Sequence, residues 1–237
     1  RACMIAYTFY EGDNRVRRYA ETLVREGWDV DAIALRRDTQ TGCGTVNGVT
    51  VHRVQKRDFR EKNKRVYVFR LLRFLFVSTL KCALLHIRKP YEVVHIHSIP
   101  DFEVFAGIWP KLFGAKIILD IHDIVPELFI SKFKSDKKSL VFKFLLLAEK
   151  LSCGFANHVI IANDIWREKL IARSVPAEKC TTVMNYPVED LFRKTGRRRD
   201  DGNFLAVYPG TLSRHQGIET AIRAIGEVRD RIPQIRF

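Results

Sequence analysis

The chain has 237 residues, 46% hydrophobic and 29% charged, and its 41 Lys and Arg against 27 Asp and Glu give a formal net charge of +14. That length holds one large domain or two small ones, and the excess of cations favours an anionic partner: nucleic acid, a phosphate-bearing small molecule or an anionic membrane surface. Five scattered cysteines (Cys3, Cys43, Cys82, Cys153 and Cys180) with no Cys-x-x-Cys pair argue against a disulfide framework or a zinc knuckle and fit a reducing cytosol.

The chain opens directly into an apolar run, Cys3 to Thr8, read as a buried strand. No signal peptide is visible, and the missing start residue suggests that the true N-terminus lies upstream. Asn14 to Glu26 has helical spacing, with Val16, Tyr19, Ala20, Leu23 and Val24 on one face and Gly27 as C-cap. Asp29 to Leu35 reads as a strand, and Asn47-Gly48 as the turn before the alternating Val49 and Val51. A long helix over Val66 to Ile87 and a strand over Glu92 to His97 follow. Next come a helix over Phe102 to Phe113, a strand over Lys116 to Ile121 and a helix over Ser139 to Cys153. His158 to Ala162 is a strand, Asp164 to Ala172 a helix capped by Asn163, and Cys180 to Met184 a strand. These repeated strand–helix units predict an α/β fold with a mostly parallel, doubly wound, Rossmann-like sheet, whose ligands sit at the carboxyl ends of the strands.

The composition then shifts. Arg193 to Asn203 is a charged linker, Phe204 to Tyr208 a fresh strand, and Gly217 to Arg231 a helix, and Ile235 to Phe237 begins another strand. One such unit buries too little surface to fold alone. The sequence therefore reads as residues 1–195, an N-terminal Rossmann-like domain, and residues 196–237, a linker and the truncated start of a second one.

Four segments carry candidate chemistry. Gly12, before the helix at Asn14, is either an ordinary turn capped by Asp13 or Asn14 or a loop whose N–H groups meet an anion. His95 and His97 share one strand face as metal ligands do, but no acidic residue or Cys stands at a partner spacing, so strand-end hydrogen bonding is the expectation. Asp120-Ile-His122-Asp123 ends an apolar strand in ionisable groups that face the cleft, where His122 would position substrate or an Asp would fix the loop. Tyr208-Pro-Gly210-Thr211, with Ser213, Arg214 and the helix at Gly217, has the donors to cradle a diphosphate and is not a Walker loop. Two apolar helices with recurring cations, Val66 to Ile87 and around Leu140 to Leu147, are not transmembrane spans. They read either as interfacial docking elements for anionic lipid or as helices packed on the sheet with basic outer faces.

Together, Asp13-Asn-Arg15-Val16-Arg17-Arg18, Gly27-Trp28-Asp29-Val30, His95-Ile-His97-Ser98, Asp120-Ile-His122-Asp123, Ala156-Asn-His158, Asn185-Tyr-Pro187 and Tyr208-Pro-Gly210 to Gln216-Gly217-Ile-Glu219 resemble, over nearly the whole chain, the family 4 retaining glycosyltransferases of GT-B fold. The resemblance implies a nucleotide-diphosphate sugar donor held mainly by the second domain and a glycan or lipid-linked acceptor held by the first, with retention and without metal or cofactor. It implies His122 as the catalytic contact to the transferred sugar, and Gly12, Gly210, Thr211, Arg214 and Gln216 around the donor phosphates. Asp13, Asn14, Arg15 and His97 would meet the acceptor. Family members carry Arg just after the loop glycine and Lys before the next one; here Thr211 and Gln216 stand there, leaving Arg214 as the cation. The family's paired glutamates would lie beyond Phe237, so the chain as it stands should be inactive. Surface polysaccharide or glycoconjugate synthesis, in the cytoplasm at the inner face of the membrane, is the implied setting. A GT-B sugar-nucleotide epimerase and a nucleic-acid-binding module remain as alternatives. The latter is disfavoured because no reading motif for specific nucleic acid is present. A dehydrogenase lacks its Gly-x-Gly-x-x-Gly after the first strand.

Overall fold

The computed structural model describes residues 1–57, 64–133, 136, 138–186, 201–210, 212 and 216–237. Its larger unit, ending at Asn185, is built on eight strands: β1 (Ala2–Ala6), β2 (Val30–Arg36), β3 (Cys43–Val46), β4 (Val49–Lys56), β5 (Val93–His97), β6 (Lys116–Ile121), β7 (His158–Ile161) and β8 (Cys180–Thr182). Their order is β3-β4-β2-β1-β5-β6-β7-β8. All neighbours are parallel except the β3–β4 hairpin. The chain winds outward from β1 on one side and returns through β5 on the other, so the topological switch point lies between β1 and β5.

The hairpin turn is set by sequence: Asn47 and Gly48 both take positive φ, 48° and 82°. A Cβ at Gly48 would stand 2.6 Å from Val24, so glycine is also required by packing. Helix α1 (Asn14–Arg25) covers one sheet face. Its Val16 and Ala20 pack on Met4, Ala6, Ala32 and Ala34. The opposite face carries α2 (Lys64–Arg88), a 3-10 segment (Asp101–Gly107) leading into α3 (Ile108–Leu112), α4 (Val125–Phe133), α5 (Leu140–Phe155) and α6 (Asp164–Ile171). There Phe74, Val104, Cys153 and Leu170 join Ile5, Ile96, Leu119 and Ile161 in the main core. A fully buried side chain such as Phe74 contributes about 1.5–3 kcal/mol.

Several local expectations hold. Gly27 ends α1 with φ 83°, and Asn163 caps α6 through its side chain, while Ser139, expected inside its helix, stands just before α5 as the cap. Two do not. The helix expected over Phe102 to Phe113 is a 3-10 segment followed by five α-helical residues. A Cβ at Gly107 would lie 2.8 Å from Ile117, which shows how closely this backbone is pressed on the sheet. Helix α4 was not expected; its Pro126 stands in the first turn, where its missing N–H has no intrahelical partner to lose.

The smaller unit comprises the described parts of Ser131–Lys134 and Tyr186–Phe237. It pairs β9 (Phe204–Leu205) in parallel with β10 (Ile235–Arg236) across α7 (Ile218–Val228), one strand–helix–strand unit. The boundary expected between residues 195 and 196 and most of the linker lie outside the described residues. Among the described residues no helix is long and apolar enough to cross a membrane.

Candidate active site

The carboxyl ends of β1, β5 and β6 meet at the switch point. Parallel register sets Ala6 beside His97 and His97 beside Asp120. Alternation then decides the faces: Val94 and Ile96 point into the main core, while His95 and His97 turn to the face that α1 covers. The acidic partner that sequence spacing did not supply for these histidines is therefore Asp120, delivered by the neighbouring strand.

Asp120 is the hub and is fully buried. Arg15 grips it with two hydrogen bonds, Nε to Oδ2 at 2.9 Å and Nη2 to Oδ1 at 2.6 Å. Asp120 Oδ2 lies 3.7 Å from His95 Nε2, 3.2 Å from His97 Nδ1 and 3.4 Å from His122 Nε2. Burial alone would raise the carboxyl pKa; the facing nitrogens of His122, His95 and His97 and the hydrogen bonds from Arg15 reverse this and hold it well below the usual range. His97 is pushed down to about 4 by burial and by the adjacent His95, against the pull of Asp120, so it is neutral at physiological pH. His97 Nδ1 and His122 Nε2 also lie 3.3 Å apart, within hydrogen-bond reach, so one of these two nitrogens donates to the other. His95 and His97 stack at 4.3 Å between ring centroids, and Tyr19 closes over His95 at 4.9 Å.

His95, His97 and Asp120 have the composition of a metal site, with ligand atoms within 4.8 Å of one another. Here the guanidinium of Arg15 already holds both oxygens of that carboxylate, supplying the positive charge a cation would bring.

His122 is different from its neighbours. Its side chain keeps 23% exposure and forms part of the wall of a cavity of about 200 Å³. Thr8, Asp13, His97, Ser98 and Asp123 complete the polar part of that wall. The cavity thus holds one imidazole oriented from behind by a buried, charged carboxylate, an arrangement suited to contacting a polar substrate with a fixed ring edge.

The expected site residues fall into distinct places. Asp13 caps α1, accepting from the N–H groups of Arg15 (3.2 Å) and Val16 (3.1 Å). Of the two readings of this helix start, a turn capped by Asp13 or Asn14 and a set of N–H groups open to an anion, the structure shows the cap by Asp13. Arg15, expected at the acceptor, is 3% exposed and spends its charge on Asp120 and the carbonyl of Val183 (3.0 Å), so it positions rather than contacts. Asn14 is exposed on the first turn, and His97 is buried in the cavity wall.

Gly12 is exposed, with its N–H bonded to the Phe9 carbonyl at 2.9 Å. Its φ is not in the left-handed region, and a Cβ would meet only Arg37 at 3.5 Å, ordinary contact. The fold of this unit does not require glycine there. Tyr19, on α1 one turn after Arg15, was read only as a core position; the i,i+4 spacing from Arg15 was the available signal.

In the smaller unit, Gly210 packs under the Tyr208 ring, where a Cβ would stand 2.7 Å from Cζ. The Tyr208 hydroxyl donates to Gln216 Oε1 at 3.1 Å. Gly217, at φ 79°, starts α7 without a side chain to cap it. Thr211 and Arg214 lie outside the described residues.

Comparison with known proteins places this geometry. The model of the glycosyl transferase 4-like domain matches residues 12–185. The alpha-galactosylglucosyldiacylglycerol synthase of Streptococcus pneumoniae is 27% identical over 161 residues, 62% of this chain and 40% of that protein. Among solved structures, sucrose-phosphate synthase from Thermosynechococcus elongatus aligns with a TM-score of 0.67 at 18% identity, covering 99% of this chain and 61% of the other. Anabaena Alr3699/HepE in complex with UDP-glucose aligns at 0.61 and 13%, covering 99% and 58%. The chain therefore spans two-fifths of its curated relative and about three-fifths of these structures. The α/β architecture is that of the GT-B glycosyltransferases, and the chain belongs to the glycosyl transferase 4-like family.

Proposed function

We propose that the complete protein is a glycosyltransferase that moves a sugar from a nucleotide-diphosphate donor to a glycan or lipid-linked acceptor with retention of configuration. The observation that carries this reading is His122, held against buried Asp120 at the switch point and presented to the cavity. The family match supports the reaction class. The names of the relatives support the substrates: one makes a glycosylated diacylglycerol, and another is solved with UDP-glucose.

In this mechanism the leaving diphosphate is stabilised by the loop at Gly210, Thr211 and Arg214 with Gln216, and by N–H groups at the start of α7. Gly12 leaves room for the donor, and His122 contacts the transferred sugar. The acceptor hydroxyl, guided by Asp13 and His97 in the cavity wall and by the exposed Asn14 next to Asp13, attacks the same face of the sugar that the diphosphate leaves, which retains configuration. Protein cations and N–H groups carry the charge, so neither metal nor cofactor is required. The setting is the cytoplasm, at the inner face of the cell membrane, in surface polysaccharide or glycoconjugate synthesis.

The test is sugar transfer by the complete protein and its His122→Ala variant, with anomeric analysis of the product. Loss of about 10²-fold or more in kcat with the fold intact is expected. Normal transfer by the variant, or sugar-nucleotide epimerisation without any acceptor, would refute the assignment.

A further inference from the structure

Three helices on the main-core face of the sheet share a property that their packing does not explain. Helix α2 buries Leu71, Phe74 and Leu85 against the sheet, yet its outward stripe is equally apolar. Along that stripe Phe69 is 67% exposed, Phe76 64% and Ile87 63%. In α5, Phe142 and Cys153 are buried while Leu140, Phe144, Leu147 and Leu151 face out. Between them, α3 and the residue after it expose Trp109, Leu112 and Phe113. A helix apolar on both sides belongs in a buried or interfacial environment.

Charge selects the occupant. Between Lys64 and Arg88, and between Ile108 and Phe113, the sequence has no Asp or Glu. In α5 the sole acid, Glu149, is buried and paired with Arg173. Arg73, Arg88, Lys143 and Lys150 are exposed alongside the apolar stripes. Apolar stripes flanked by cations only, with an exposed Trp, match the headgroup region of an anionic bilayer. At about 37 Å, α2 is long enough to cross a bilayer, but its recurring charges exclude spanning and suit lying in the interface.

We infer that α2, α3 and α5 form one docking face for an anionic lipid bilayer, which brings a lipid-linked acceptor to the cavity beside His122. Topology places the start of α2 at the carboxyl end of the sheet, since it follows β4. The Arg57 guanidinium lies over both Tyr7, in the cavity wall, and Tyr67, in the first turn of α2, at 4.8 and 5.8 Å from the ring centroids. The apolar stripe therefore begins beside the cavity. This inference rests on the proposed transferase reading for its acceptor, and on the surface alone for the docking.

The test is co-sedimentation of the 237-residue chain with phosphatidylcholine vesicles, with and without a third phosphatidylglycerol. Binding to the anionic vesicles at least tenfold above the neutral ones, weakened by 0.5 M salt, is expected. The Phe69→Glu/Phe76→Glu variant, folded by circular dichroism, should lose that binding at least tenfold. Lys143→Gln/Lys150→Gln should lower binding severalfold without touching the apolar stripe. Equal binding to neutral vesicles, or anionic binding retained by both variants, would overturn the inference. Self-association without vesicle binding, abolished by Phe69→Glu/Phe76→Glu, would also overturn it and assign the face to a second copy. Transfer by the complete protein to a soluble acceptor separates the two readings. If transfer persists without vesicle binding, only the docking face fails; if vesicle binding persists without transfer, only the transferase reading fails.

Discussion

Two strand-to-helix loops look alike in sequence and differ in structure. Both follow an apolar strand, contain a glycine and open a helix: one at Gly12 before α1, the other at Gly210 before α7. In the first, Asp13 fills the helix N-terminus and Arg15 is drawn inward onto Asp120. In the second, the residue before the helix is Gly217, which has no side chain to cap with and leaves the N–H groups to another partner. The lesson is that a glycine before a helix does not by itself make an anion site; the residue at the N-cap decides. The first loop is a rigid support that orients His122 through Asp120. The second is proposed to hold the diphosphate, and its uncapped α7 N-terminus is compatible with that.

The largest expected effect tests the support. Asp120→Asn strands the buried guanidinium of Arg15 and should cost about 3–5 kcal/mol in denaturant unfolding. The same pair predicts acid sensitivity. Because the folded pKa of Asp120 is depressed, its stabilisation is fully present above the unfolded value near ~4 and is lost as pH falls through the lower folded value. Unfolding curves at pH 7 and below pH 4 should diverge more in the wild type than in Asp120→Asn, where the other carboxylates with depressed values, such as Asp31, remain. An unchanged midpoint in that variant would remove the hub.

Smaller effects sharpen the contrast between the loops. Gly217→Ala forces a Cβ into the left-handed region and should cost about 1–2 kcal/mol, read as faster hydrogen exchange in α7. Asp13→Ala should cost about 1 kcal/mol as a lost cap. If it instead left stability unchanged, the cap would not be the role of Asp13, and the contrast between the loops would collapse. Gly12→Ala should change stability by less than about 0.5 kcal/mol, since the added methyl meets only ordinary contact. A raised KM for the donor in this variant of the complete protein, at unchanged stability, would identify close ligand approach as the reason for glycine.

Much of the fold was legible. Alternating strand and helix periods placed nearly every element, and Asn47-Gly48, Gly27 and Asn163 marked their own turns and caps. The failures have physical causes. Helix α4 was missed: its Pro126 stands in the first turn, and a first-turn proline and a loop proline look the same in sequence. The 102–113 stretch has helical spacing, but the backbone at Gly107 presses on Ile117 and tightens to 3-10 geometry. At the site, His122 and Asp120 stood out as ionisable groups ending an apolar strand. That Arg15 belongs to Asp120, 105 residues away, did not.

The sequence by itself determined the strand–helix alternation, the hairpin turn, the helix caps and the cationic, acid-free character of α2 and α3, because each depends on residues within a few positions of one another. Only the tertiary structure decided that His95, His97, Asp120 and Arg15 form one buried network, and that the apolar stripes of α2, α3 and α5 share one outward face. Those depend on the register of parallel strands and on which face each helix covers, and both are set by the packing of the whole core.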